Sequence, residues 1–174
     1  MAQSLKLFIA FNRSKFHIIK VTNRLLANPS EFSDLVALIE DEDTLIAQNA
    51  AWVMSDVVKE NKQLVIPFMD KLYAIISKTK IDGIKRNILR VWQWISISAN
   101  MQYDIANLCL QYLQSKKETV AVKAFSLTVL QNLMPYMPEL KEEILFEIEK
   151  QMPNSTAAFK YRAEAFITFV NKFR

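Results

Sequence analysis

Residues 84–95 read IKRNILRVWQWI, and the order of apolar and polar side chains in that stretch decides the fold. Ile84, Ile88, Val91, Trp92 and Ile95 recur three and four residues apart, the spacing that puts them on one face of an α-helix. On a helical wheel the five fall within an arc of about 100°, the width of a buried stripe. Arg86, Arg90 and Gln93 fall on the opposite side. The same columns return without gaps in three other segments: Ile46, Ala50, Val53, Met54 and Val57; Val122, Ser126, Val129, Leu130 and Leu133; Phe159, Ala163, Phe166, Ile167 and Val170. Successive offsets are 38, 38 and 37 residues. A fixed period between about 20 and 50 residues signals an array of helical repeats.

Between these helices the apolar spacing predicts partners at Glu31–Ile39, about Leu64–Ile76, about Tyr103–Leu113 and about Glu139–Met152. Turn signals separate them, among them Asn28-Pro29-Ser30, Pro135 to Pro138 and Pro153-Asn154-Ser155. Each repeat is therefore a helix pair that cannot bury its apolar face alone. The expected fold is all-α, a right-handed α-α superhelix of about four to five helix pairs. It forms one cooperative domain over 1–174, with 1–29 a degenerate N-terminal capping repeat and 30–174 about four repeats of period 37–38.

Composition removes most catalytic classes. The chain has 174 residues with one Gly, one Cys and one His. Gly83 alone cannot build a phosphate-cradling loop or a dinucleotide turn, which need two or three glycines. His17 and Cys109 cannot supply paired-histidine or Cys-x-x-Cys metal sites. Cys109, between Leu108 and Leu110, reads as a small core residue, and His17, between Phe16 and Ile18, reads the same way. No cofactor and no bound metal is expected.

No run reaches the 18 or so apolar residues of a membrane span, so a soluble, cytoplasmic chain is expected. Residues 1–30 carry five basic side chains and no acid, a balance that organelle transit peptides share. The net charge of +4 is modest and not gathered in one tail. Lys6, Arg13, Lys20 and Arg24 would share one face if that segment were a continuous helix. Glu40 to Asp43 leads into a helix N-terminus, where a cap explains the acids better than a metal site.

Ile84-Lys85, Val122-Lys123 and Phe159-Lys160 open the second helix of each pair, and Pro67 sits early in a first helix. In these features the chain resembles HEAT-type repeats (the HEAT-like, ARM-type family) from about residue 30 to 174. It is also similar to small uncharacterised bacterial HEAT-like proteins, through Ala50 to Ser55, Lys85 to Arg90 and Gln151 to Ser155. Some of those chains bear the name adenylosuccinate lyase. Such lyases are much longer and use a serine loop and histidines that this chain lacks.

The resemblance implies that the second helices line a concave surface. The outward columns are Gln48, Arg86, Ala124 and Tyr161; Trp52, Arg90, Thr128 and Ala165; and Ser55, Gln93, Gln131 and Thr168, flanked by Asp56, Trp94, Asn132 and Phe169. Aromatic and guanidinium groups clustered in this way dominate interface energetics. Trp52, Asp56, Arg86, Arg90, Gln93, Trp94 and Gln131 are therefore the expected partner-binding residues. The leading reading is a non-enzymatic protein-interaction module or scaffold that receives a helix or peptide of a partner. A second reading is a DNA-binding relative of the helical-repeat alkylbase glycosylases, in which Trp52 would hold an electron-poor base and Asp56 would stabilise positive charge on the sugar. A protein or peptide partner ranks first and nucleic acid second. No membrane partner is expected, and the oligomeric state is left open.

Overall fold

The computed structural model describes residues 2–12 and 14–172; Arg13 lies outside them, so the four-membered basic stripe is followed at three of its members. Among the described residues ten α-helices run in order: α1 (Ala2–Ala10), α2 (Lys15–Ala27), α3 (Phe32–Ala37), α4 (Thr44–Glu60), α5 (Met69–Lys78), α6 (Asp82–Trp92), α7 (Ala99–Gln114), α8 (Val120–Leu133), α9 (Lys141–Gln151) and α10 (Ala157–Lys172). Strands are absent among the described residues. The chain divides into two compact units, one ending at Ile95 and the next beginning at Ser96.

Local chemistry fixes where the helices start. Asp43 caps α4, its Oδ1 accepting from Leu45 N at 2.8 Å and Ile46 N at 3.4 Å, which satisfies donors that the helix leaves open. Ser14 caps α2 and Thr119 caps α8 in the same way. The helix expected from about Leu64 begins later than its apolar pattern suggests. Lys62–Phe68 is a 3-10 run and α5 starts at Met69, because Pro67 has no N–H to donate and its ring crowds the preceding turn.

In the first unit α4 is central, packed against α1, α2, α3 and α6. Its Ile46, Ala50, Val53, Met54 and Val57 are all buried, as are Ile84, Ile88, Val91, Trp92 and Ile95. Trp92 is the largest side chain sealed from solvent. Two buried polar groups tie α1 to the rest. His17 Nε2 donates to the Phe8 carbonyl at 2.6 Å, and Asn49 Nδ2 donates to the Ile9 carbonyl at 3.3 Å. His17 is thus a bonded core residue.

In the second unit α8 packs between α7 and α10, and α9 packs on α7 and α10. The repeat columns are again buried, except that Ile167 is half-exposed. Cys109 is fully buried and its thiol is pushed well above the ordinary range by burial, so it is a packed apolar group rather than a nucleophile. Lys123 donates to Gln151 Oε1 at 2.8 Å while Gln151 Nε2 donates to the Leu113 carbonyl at 2.9 Å. This lysine holds α7, α8 and α9 in register.

Candidate binding groove

Three helices of the first unit wall a groove of about 840 Å³. From α4 come Gln48, Trp52 and Asp56, at the i, i+4, i+8 spacing that keeps them on one edge. From α6 come Arg86, Asn87 and Arg90; from α2 come Lys15, Ile19, Asn23 and Leu26.

Arg90 is the best-fixed of the charged groups. Its Nη2 is 3.5 Å from Asp56 Oδ1, its Nη1 donates to Asn87 Oδ1 at 3.2 Å, and its Cζ lies 5.4 Å from the centre of the Trp94 ring. Asn87 is fixed in turn, since its Nδ2 donates to the Gly83 carbonyl at 2.8 Å and its Oδ1 lies 3.1 Å from Ser55 Oγ. A guanidinium held on several sides loses little further freedom when a ligand arrives. Arg86 Nε is 2.9 Å from Asp82 Oδ2, one helical turn back.

Burial raises the pKa of Asp56, and the Arg90 guanidinium and the Trp52 side chain beside it oppose that rise. Desolvation disfavours the ionised carboxyl, whereas a cation or a donor favours it. Lys15, Lys59, Arg86 and Arg90 in the lining face Asp56 and Glu60, with Asp82 pairing Arg86 at the edge, so the groove carries a small excess of positive charge. Cysteine and histidine are absent from its lining among the described residues. The arrangement suits recognition of a carboxylate or phosphate flanked by an apolar or aromatic group.

Of the seven residues singled out by sequence, Trp52, Asp56, Arg86 and Arg90 meet in this groove. Trp94 is half-buried and joins through Arg90. Gln93 is half-buried on the C-terminal side of α6, outside the groove lining. Gln131 belongs to α8 of the second unit and is half-buried there. Two outward assignments fail: Ser55 and Ala124 are buried, because the helices pack closely enough to cover columns at the edge of the stripe.

The basic stripe also fails as a unit. One helix ends at Ala10 and the next begins at Lys15, Lys6 pairs with Asp41 at 2.7 Å, and Arg24 pairs with Glu31 at 2.9 Å. Sequence reasoning missed the α2 wall and Asn87. The signals were present: Lys15, Ile19, Asn23 and Leu26 recur at helical spacing, and Asn49 and Asn87 occupy one repeat column, 38 residues apart.

A HEAT repeat domain model matches residues 7–163. The chain belongs to the HEAT repeat family. Its fold is the all-α helical repeat of that class, and HEAT repeats are of the protein-interaction scaffold type. The match begins upstream of residue 30, so it takes in the end of α1 and all of α2, part of the segment that sequence reasoning treated as degenerate. No curated protein and no solved structure matches the chain. Among the described residues no helix of this HEAT protein is long and apolar enough to cross a membrane.

Proposed function

We propose that this HEAT protein is a non-enzymatic interaction module whose α2–α4–α6 groove receives a helix or extended peptide bearing acidic side chains. The observation that carries the reading is the electropositive groove of about 840 Å³ in which Trp52 and Arg90 stand together. Trp52 offers a half-exposed apolar face and Arg90 a guanidinium already held by Asp56 and Asn87. Residues of these two types, central in a pocket, are where truncation costs most, about 2 kcal/mol or more each. Trp94, Arg86 and Gln93 would contact the flanks of the ligand.

The test is an affinity capture from native cell extract, with and without nuclease, using the wild type beside Trp52→Ala/Arg90→Ala. A nuclease-resistant protein retained by the wild type and lost with the variant is the expected result. Identical captures by the two proteins would remove the groove from the account. Helical content by circular dichroism should be the same in both.

A second reading is favoured by one feature, the Trp52–Asp56 pair one turn apart in an electropositive groove. In a DNA-binding relative of the alkylbase glycosylases, affinity would fall steeply with salt as condensed counterions are released. Asp56→Asn would then abolish release of a modified base. Against this reading, the Asp56 carboxylate already faces the Arg90 cation at 3.5 Å, which lessens what it can offer to a developing positive charge.

A further inference from the structure

Ion pairs in the first unit differ in how firmly they are made. Arg24 and Glu31 meet through two hydrogen bonds of 2.9 Å, and Lys6 reaches Asp41 at 2.7 Å. These are the distances of close, charge-assisted bonds. Arg90 and Asp56 meet through a single contact of 3.5 Å, with the two side chains 28% and 29% exposed. The loosest of these three pairs stands in the groove.

The acids respond in the same sense. The hydrogen bond with Lys6 lowers the pKa of Asp41, whereas burial raises that of Asp56 in spite of Arg90, the Trp52 side chain and Lys59. A carboxyl whose partners do not repay its desolvation gives up its charge readily. Arg90 does not depend on Asp56 to stay in place. Its Nη1 donates to Asn87 Oδ1 at 3.2 Å, and Asn87 is itself buried and donates to the Gly83 carbonyl at 2.8 Å. The Trp94 ring supports the guanidinium from another side, at 5.4 Å. The charged groups around Asp56 are Arg86 and Arg90 on α6, Lys59 and Glu60 on α4 and Lys15 on α2; Arg90 and Lys59 act on it directly, and Arg86 is paired with Asp82.

We propose that Asp56 is a specificity-determining residue of the groove, an exchangeable counter-ion that an acidic ligand replaces on Arg90. The inference rests on the acidic-ligand reading above and adds a condition to it. Two carboxylates at close range on one guanidinium do not both stay ionised. As the ligand's acid arrives, Asp56 therefore takes a proton from solvent, and the bound groove holds one carboxylate and one carboxylic acid. The protonated Asp56 still accepts the hydrogen bond of the Trp52 side chain through its carbonyl oxygen. Binding takes up a proton, so it strengthens as pH falls while the ligand keeps its own charge. At neutral pH the same carboxylate turns weak anions away, and a ligand has to bring further contact, with Trp52 above all, to displace it.

Benzenesulfonate is the probe, an aromatic ring bearing an anion whose charge is the same at about pH 5 and about pH 8. Its dissociation constant is read at constant ionic strength from the Trp52 indole N–H resonance, assigned by its loss in Trp52→Phe, with the fold checked by circular dichroism. The wild type should bind roughly tenfold more tightly at the lower pH, the change that follows when a like charge moves a carboxyl by one pKa unit. Asp56→Asn should bind equally at both, as tightly as the wild type in acid. Without probe, the Trp52 resonance should titrate in acid in the wild type and stay flat in Asp56→Asn. His17, the single histidine, lines a different concavity and is common to both proteins, so it does not separate them. Wild-type binding that is equal at the two pH values or undetectable at both, or weaker binding by Asp56→Asn in the alkaline sample, would overturn the exchange. Loss of binding in Arg90→Ala without any pH dependence in the wild type would overturn it and leave the groove standing. Binding that survives Arg90→Ala would remove the groove reading as well.

Discussion

The two units carry the same repeat but differ in the chemistry of their outward columns. In the first, one column holds Asn87 and the next outward column holds Trp52 and Arg90; in the second, the corresponding positions are Phe125, Thr128 and Ala165. In the first unit Arg90 is held along the wall of the groove by Asp56, Asn87 and Trp94. In the second, Arg162 of α10 lies over the Phe125 ring at 4.5 Å and hydrogen-bonds Thr128, closing the surface with its own side chain. Buried columns are constrained by packing and so repeat. Outward columns are not, so the position of a binding surface is set by residues that the period does not control.

The widest effects should come from the buried columns, and should be alike in the two units. Trp92→Ala in the first and Phe166→Ala in the second each remove a fully buried aromatic and leave a cavity, expected to cost about 3–5 kcal/mol in urea unfolding. Trp52→Ala, on the groove wall, should cost far less stability. If Trp52→Ala proved as damaging as Trp92→Ala, Trp52 would be core and the contrast between wall and core would collapse.

Asn87→Ala comes next. Asn87 links α6 to Ser55 of α4 and helps to hold Arg90, so its loss removes these hydrogen bonds, a cost of about 1–3 kcal/mol. It should also weaken capture of the groove's partner. Phe125→Ala in the second unit should lower stability but leave that capture unchanged. Measuring both variants in both assays separates the functional column from the structural one.

The fold was legible in the sequence because burial repeats. Val53, Val91, Val129 and Phe166 are apolar for one reason, and four instances of one cause are hard to mistake. The site was half legible. Trp52, Asp56, Arg86 and Arg90 follow from the wheel once the period is known, but the wheel describes one helix at a time. It could not show that α2 supplies the facing wall, that Ser55 is covered, or that Lys6 belongs to Asp41, since each depends on which helix lies beside which. Pro67 illustrates the same limit locally: apolar spacing extended the helix through a position where backbone chemistry forbids it.

Two carboxylates of the first unit sharpen the comparison through pH. Asp56 in the groove has a raised pKa through burial, whereas Asp41 outside it has a lowered one, through its hydrogen bond with Lys6 and that from Asp43 N. The stability linked to Asp56 is present below the ordinary carboxylate value and is lost as pH rises through its raised value. That linked to Asp41 is present above the ordinary value and is lost as pH falls through its depressed one. Asp56→Asn should therefore raise Tm relative to wild type at pH 7 more than at pH 3. Asp41→Asn should lower Tm at pH 7, with the difference vanishing in acid. Thermal melts of the three proteins at both pH values decide it, and shifts of the same sign at pH 7 would remove the idea that the groove keeps a carboxylate at a cost in stability.

The smallest effect concerns the only glycine. Gly83 opens α6 beside α4, and a Cβ added there would stand 2.7 Å from Gln48 Oε1, with no backbone strain to relieve since its φ is not positive. The atom in the way is the far end of a flexible side chain, so Gln48 can turn aside, while alanine is favoured over glycine within a helix by about 0.8–1 kcal/mol. Gly83→Ala should therefore change stability by less than about 1 kcal/mol. Gln48 lines the groove, so its displacement should still register as weaker partner capture. A large loss of stability would mean that α4 and α6 need the close approach at Gly83 to form the wall at all, and that the groove is a consequence of core packing rather than a surface laid over it.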